Sequence, residues 1–144
     1  MEYQVGRTGR VIAARLFEGE DIYECIEEIA KKENIKSAAV LIMGGFRQAD
    51  VVVGPKQEVP EIVGDFREFI GPGEAFGVGT LYPDGDSTTL HIHTGIGRGD
   101  KAIVGCPRGG AKTFLVLEVT IIELEGITGA RRLDTDKKVK LLRF

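Results

Sequence analysis

The chain has 144 residues, of which 42% are hydrophobic and 28% are charged, and its formal net charge is −3. These totals predict a single domain over residues 1–144, with a core at about residues 9–126 and a charged C-terminal tail. The acidic balance provides no general attraction to nucleic acid, and the lack of an apolar run of about 18 residues predicts a cytoplasmic protein without a membrane span.

The N-terminal third of the chain predicts a strand, a helix and a second strand. Residues 9–17 carry apolar side chains on both faces, so we expect a largely buried strand. Asp21 can cap a helix over about residues 21–34, because apolar residues then recur at i, i+3, i+4 and i+7. The members of this stripe are Ile22, Cys25, Ile26, Ile29 and Ala30. The apolar run 37–46 predicts a buried strand that leaves into a turn at its Gly-Gly pair.

The rest of the chain predicts strands joined by turns. The expected strands are residues 49–54, 61–71, 74–82, 87–97, 102–106 and 112–126. Two prolines favour a loop over residues 55–60, and the Pro-Asp-Gly-Asp segment 83–86 predicts a hairpin turn. The close spacing of the strands predicts an α+β fold with a mainly antiparallel sheet and one principal helix. The tail 130–144 is compatible with a last short strand or a loop.

Both histidines lie one residue apart in the segment TTLHIHTGIG. Residues i and i+2 of a strand point to one face, about 6.5–7 Å apart at Cα, so His91 and His93 can direct their rings toward one point. The short GIGRGDK hairpin can bring Cys106 alongside, which makes three ligands with an open fourth position. Nitrogen and sulfur ligands favour Zn²⁺ over magnesium or calcium. The pair is equally compatible with half-exposed side chains on a polar face, or with hydrogen-bonded histidines at a subunit contact.

Basic side chains follow the histidines in sequence. They are Arg98, Arg108 and Lys112. Together they can form an anion-attracting rim around the site, or a solvated edge of the sheet. Cys25 lies on the helix stripe, where a small core residue is expected. Cys106 ends a strand before a proline, so a ligand role and simple burial both stay open.

The order of these motifs resembles the plants-and-prokaryotes conserved domain (PPC domain) of the stand-alone prokaryotic type. The stretches that carry the resemblance are GRVIAARLFEGEDIYECIEEIAKKENIKSAAVLIMGGFRQADVVV, EIVGDFREFIGPG, TLHIHTGIGRGDKAIVGC and TFLVLEVTIIEL. It implies an α+β fold assembled as a homotrimer, without a settled enzymatic activity. Where the family pattern has a third histidine, this chain has Gly105 and Cys106. The Arg-Gly-Arg-Pro core of the AT-hook is missing, so the minor-groove role of plant members is not implied.

Three functions fit these observations. The first, which we favour, is a homotrimer that binds zinc through His91, His93 and Cys106 near a subunit boundary. The second is a DNA-associated regulatory or assembly protein, against which the negative charge and the missing AT-hook argue. The third is a metal-dependent enzyme acting on a small molecule, for which the sequence indicates no substrate class.

Overall fold

The computed structural model describes residues 1–57 and 61–144, so residues 58–60 of the predicted loop lie outside the described part. The elements in chain order are β1 (Arg7–Phe17), α1 (Ile22–Lys32), β2 (Ala38–Gln57), β3 (Val63–Asp84), β4 (Ser87–Arg98), β5 (Lys101–Pro107), β6 (Lys112–Glu125), β7 (Ala130–Asp134) and β8 (Val139–Arg143). Every strand pairing among them is antiparallel. The predicted class, a mainly antiparallel sheet with one principal helix, agrees with this architecture. Within the described ranges, no helix is long and apolar enough to cross a membrane.

Strands β2 to β5 of the main sheet form a closed ring, because β5, the strand that carries Cys106, also pairs with β2. The strand order of the sheet is β1-β6-β2-β3-β4-β5, and β2 makes an additional pairing with β5. The first part of β2 lies between β6 and β3, and further along Val51 and Val52 pair with Pro107 and Cys106. The end of β5 is therefore held by β2 and not only by its hairpin partner β4.

The helix forms as the apolar spacing predicts. The Asp21 side chain accepts hydrogen bonds from the backbone N–H groups of Tyr23 and Glu24, which satisfies donors that the first turn leaves unpaired. The stripe faces the sheet, with Ile22, Ile26 and Ala30 buried and Cys25 and Ile29 partly buried against the core. The helix ends at Lys32, slightly earlier than expected, and Asn34 adopts a φ of 54° that a helix does not continue through.

Two predicted breaks between strands are wrong. The expected turn at Gly44 is an irregularity inside β2, which continues to Gln57 and so takes up the first part of the predicted 55–60 loop. Gly44 has a φ of 144°, and a Cβ there would lie 2.4 Å from the carbonyl oxygen of Val116. The glycine thus lets β2 approach β6 closely without leaving the sheet. The predicted segments 61–71 and 74–82 are likewise joined in one strand, β3, which begins at Val63.

The two ends of the chain also differ from expectation. β1 pairs only with β6 among the described strands, so it is an edge strand with one packed face. Its Val11 is 62% exposed whereas Leu16 is 2% exposed, and the prediction of a largely buried strand is wrong. The tail forms two strands, β7 and β8, as a separate hairpin. Its last residue, Phe144, packs edge-on against Tyr82 of β3 at 6.4 Å between ring centroids.

Candidate metal site

Strand β4 directs both histidines to one face of the sheet, as their spacing predicts. The Nε2 atoms of His91 and His93 lie 3.0 Å apart, and 9° separates the planes of the two rings. Ile92, between them, is buried on the opposite side in the core. At this separation one nitrogen donates to the other, or both lone pairs face a shared cation.

Cys106 reaches the histidines from β5. Thr94 pairs with Gly105 in the β4–β5 ladder, which places Cys106 across from His93 on the next rung. The thiol sulfur and the two imidazole nitrogens lie within 4.8 Å of one another. Cys106 is only 5% exposed, because Val52 of β2 pairs with it from the other side. The closure of the sheet therefore fixes the position of the sulfur.

The three side chains fit a tetrahedral transition metal. Bonds of about 2.0–2.1 Å to nitrogen and about 2.3 Å to sulfur place two nitrogens about 3.3 Å apart, and a nitrogen and a sulfur about 3.6 Å apart. The two histidine nitrogens are 3.0 Å apart, which is close to this spacing. The sulfur lies no more than 4.8 Å from either nitrogen, so it would have to move by about 1 Å at most to reach its distance in a metal site. Imidazole and thiolate are ligands of zinc and its neighbours, whereas magnesium and calcium prefer oxygen. With three protein ligands, a tetrahedral ion would have a fourth position for water or another small ligand.

The surroundings of His91 keep its ring neutral. Burial lowers the pKa of His91 to about 4, and electrostatic interactions with Arg131, His93 and Arg108 act in the same direction. Neutral imidazole is the form that binds a metal ion near pH 7. Arg131 is held next to this ring, since its Nη2 donates to the Thr80 hydroxyl at 3.1 Å and Thr80 is the cross-strand partner of His91.

The helix contributes a support for the cysteine. The hydroxyl of Tyr23 donates a hydrogen bond to the carbonyl oxygen of Pro107, the residue after Cys106. Burial raises the pKa of Tyr23, and the adjacent Cys106 thiol raises it further. The phenol thus stays protonated and joins the start of α1 to the backbone that positions the sulfur.

The structure separates the residues of the predicted basic rim. Arg108 lines the same cleft as His91. Arg98 lies toward the other end of β4, where it donates to the carbonyl oxygen of Gly71 at 3.1 Å. Lys112 forms an ion pair with Asp21 at 3.5 Å. Of the three, Arg108 is the one that shares the histidine cleft.

Sequence reasoning missed Tyr23 and Arg131. Tyr23 follows the helix cap and stands beside the apolar stripe, so the spacing marks it as an ordinary helix residue. Arg131 belongs to the tail, which the sequence leaves as a strand or loop of unknown position. Its place beside His91 comes from the packing of β7 near β3, for which the local sequence contains no signal.

The closed antiparallel sheet, the helix against it and the His-x-His strand beside a thiol define a small α+β protein with a candidate metal site. Residues 3–125 match the family model of the Plants and Prokaryotes Conserved (PCC) domain, the family abbreviated above as PPC. The chain therefore belongs to the PPC family. No protein with a curated description matches it.

Several solved structures share the fold. A metal-containing protein from Archaeoglobus fulgidus is 21% identical with a TM-score of 0.88, and the alignment covers 100% of both chains. A PPC protein from Pyrococcus horikoshii is 20% identical with a TM-score of 0.85, over 100% of this chain and 99% of that one. A Ralstonia eutropha JMP134 protein, provisionally named as DNA-binding, is 16% identical with a TM-score of 0.77, over 92% and 90%. At these identities the similarity shows a common fold.

Proposed function

We propose that this PPC protein binds a transition metal ion, with zinc preferred, through His91, His93 and Cys106. The observation that carries the proposal is the convergence of three suitable ligand atoms from two adjacent strands, all within 4.8 Å. The neutral state of His91 and the burial of Cys106 both favour a metal over a pair of solvated histidines. The description of the Archaeoglobus relative as metal-containing adds support.

The proposal also includes self-association, as the homotrimer that the family resemblance implies. An apolar face lies next to the histidines, on the same side of the sheet as His93. Its exposed members are Leu41, Met43, Phe76, Val78 and Val104, which are 44–71% exposed. Met43 is the cross-strand partner of Phe76, and Val78 is the partner of His93, so the surface is continuous with the candidate metal site. Monomers seldom expose apolar surface of this kind, and a second copy of the same chain would cover it.

We further propose that residues 1–144 form one domain, including the tail. Lys140 of β8 pairs with Asp84 of β3 at 2.7 Å, and Phe144 packs on Tyr82. These contacts attach the β7–β8 hairpin to the main sheet. We expect a single unfolding transition of the metal-free protein by circular dichroism and by tyrosine fluorescence, and two separated transitions would contradict a single domain.

Zinc binding is tested with protein purified without a histidine tag. The metal content should be one zinc per chain, and competition with a chromophoric chelator measures the affinity. The Cys106→Ser variant should lose more than about 100-fold in affinity, because changes outside the ligand set alone cost about 10–100-fold. The matched control is Cys25→Ser on the helix stripe, which should leave the affinity unchanged. Equal zinc affinities of the two variants would contradict the site. So would a wild type that is purified without metal and whose stability a chelator does not change.

Self-association is tested by sedimentation velocity. The wild type should sediment with three times the mass of the chain, and Phe76→Ser should shift it toward the monomer. The control is Leu133→Ser, because Leu133 is 62% exposed on β7 and lies outside the apolar face. A monomeric wild type, or a Phe76→Ser variant that keeps the full mass, would contradict association through this face.

A metal-dependent enzyme acting on a small molecule is the second candidate. The observation in its favour is a cleft of about 620 Å³ beside His91, a size typical of small-molecule sites, next to an open metal position. A hydrolase screen of the zinc-loaded wild type and His91→Ala tests it. Activity that disappears in the variant while the oligomer persists would support catalysis, and a wild type inactive on every substrate would favour a binding role.

Direct DNA binding receives less support. The provisional name of the Ralstonia relative suggests it, but the net charge of −3 opposes contact with a phosphate backbone. We expect no salt-dependent complex in a gel-shift titration at low ionic strength. A complex that weakens steeply with added salt would instead support the DNA-associated role.

A further inference from the structure

The cleft beside His91 is locally basic although the chain as a whole is acidic. It lies between the start of α1, β4 and the β7–β8 hairpin. Its charged lining residues are the cations Arg108, Arg131 and Lys140 and the acids Glu27 and Asp84. The acids already have partners, since Asp84 pairs with Lys140 at 2.7 Å and Glu27 accepts a hydrogen bond from the backbone N–H of Leu90 at 2.9 Å. Glu27 keeps its negative charge because a backbone N–H is neutral, so the two arginines leave the cleft with one net positive charge.

Arg131 is held in place but incompletely satisfied. Its Nη2 donates to Thr80, whereas its Nε is buried and has no hydrogen-bond partner among residues 1–57 and 61–144. Within the same ranges, neither Arg131 nor Arg108 takes part in an ion pair. A buried donor without an acceptor is costly, so the Arg131 guanidinium has hydrogen-bonding capacity that its protein neighbours leave unused. The planar fork of an arginine matches the paired oxygens of a carboxylate or a phosphate.

We propose that this cleft binds a small molecule through an oxyanion group, a carboxylate or a phosphate, held by Arg131 and Arg108 beside His91. The inference rests on the proposed metal site only in placing the remainder of the ligand against the open coordination position. Tyr23, whose hydroxyl is engaged by Pro107, and Leu141 form part of the wall that would contact that remainder. The anion site thus combines one residue of the predicted rim with an arginine from the tail.

The test titrates metal-free protein with inorganic phosphate and, separately, with acetate, followed by amide chemical shifts and calorimetry. Saturable binding of one probe with shifts around β4 and β7 is expected, and the tighter probe identifies the type of oxyanion. Arg131→Gln should weaken that binding by about 10-fold or more, since a charge-assisted hydrogen bond is lost. Arg132→Gln removes the same charge from the next, exposed residue and should leave the affinity within about twofold of wild type. No saturable binding of either probe, or equal losses in the two variants, would overturn the anion site.

A second arm separates this proposal from the metal proposal. Zinc affinity is measured for the wild type and for Arg131→Gln, which should differ little because Arg131 is not a ligand in the proposed site. Phosphate or acetate binding without any zinc affinity would refute the metal site and leave the anion site standing. Tighter binding of the probe to zinc-loaded than to metal-free protein is expected. Equal affinities would overturn the placement of the ligand against the metal.

Discussion

Replacement of Tyr23 by phenylalanine tests whether the helix positions the candidate metal ligand Cys106. The variant keeps the ring and removes the hydroxyl that donates to the Pro107 carbonyl oxygen. Leaving a buried acceptor without its donor costs about 1–3 kcal/mol, which for a chain of this length lowers the melting temperature by about 3–4 °C per kcal/mol. Because Pro107 follows Cys106 directly, the sulfur also loses a constraint. Zinc affinity should then fall by about 10-fold or more, the usual effect of removing a contact that orients a ligand.

Two assays separate the effects of the missing hydroxyl on stability and on the site. Urea unfolding of chelator-treated protein measures the loss of stability without metal, and chelator competition measures zinc affinity. The matched control is Tyr3→Phe, because Tyr3 is 74% exposed and lies outside the helix, in the segment before β1. A Tyr23→Phe variant that matches this control in both assays would refute the idea that Tyr23 supports the cysteine. A loss of stability with unchanged zinc affinity would limit Tyr23 to a packing role.

Two further changes test the local structure. Gly44→Ala should cost more than about 3 kcal/mol in urea unfolding, because its φ of 144° and the nearby Val116 carbonyl oxygen add strain to a steric clash. The control is Gly19→Ala, which has a φ of 81° and nothing within 4 Å of the added Cβ, and it should lower the free energy of unfolding by only about 1–2 kcal/mol. Similar losses of stability in the two glycine variants would argue against close β2–β6 packing. Asp21→Ala should lower the free energy of unfolding by about 1–2 kcal/mol, because the helix cap is lost. Asp21→Asn should keep most of this stability, since asparagine caps a helix equally well. A large loss in Asp21→Asn would instead assign the effect to the ion pair with Lys112.

The sequence was informative wherever structure follows from neighbours a few residues apart. The helix could be predicted because its apolar residues recur at helical spacing behind a capping aspartate. The hairpin turn between β3 and β4 could be predicted from the Pro-Asp-Gly-Asp segment, and Gly85 in that turn does adopt a φ of 63°, which glycine favours. The shared face of His91 and His93 follows from the two-residue period of a strand, and their nitrogens do meet at 3.0 Å. Membership of the PPC family could be inferred from the order of these local motifs.

Other features could be seen only in the tertiary structure, because they depend on pairings between distant parts of the chain. Cys106 lies across from His93 of β4 and also pairs with Val52 of β2. Both contacts form only when the three strands β2, β4 and β5 are aligned. The strand order makes β1 an edge, although its residues are apolar on both faces. Arg131 reaches Thr80 from 51 positions away, which no local pattern encodes. Such contacts depend on the free energy of packing the whole sheet, because the same short segment can pair with several partners until all the strands are in place.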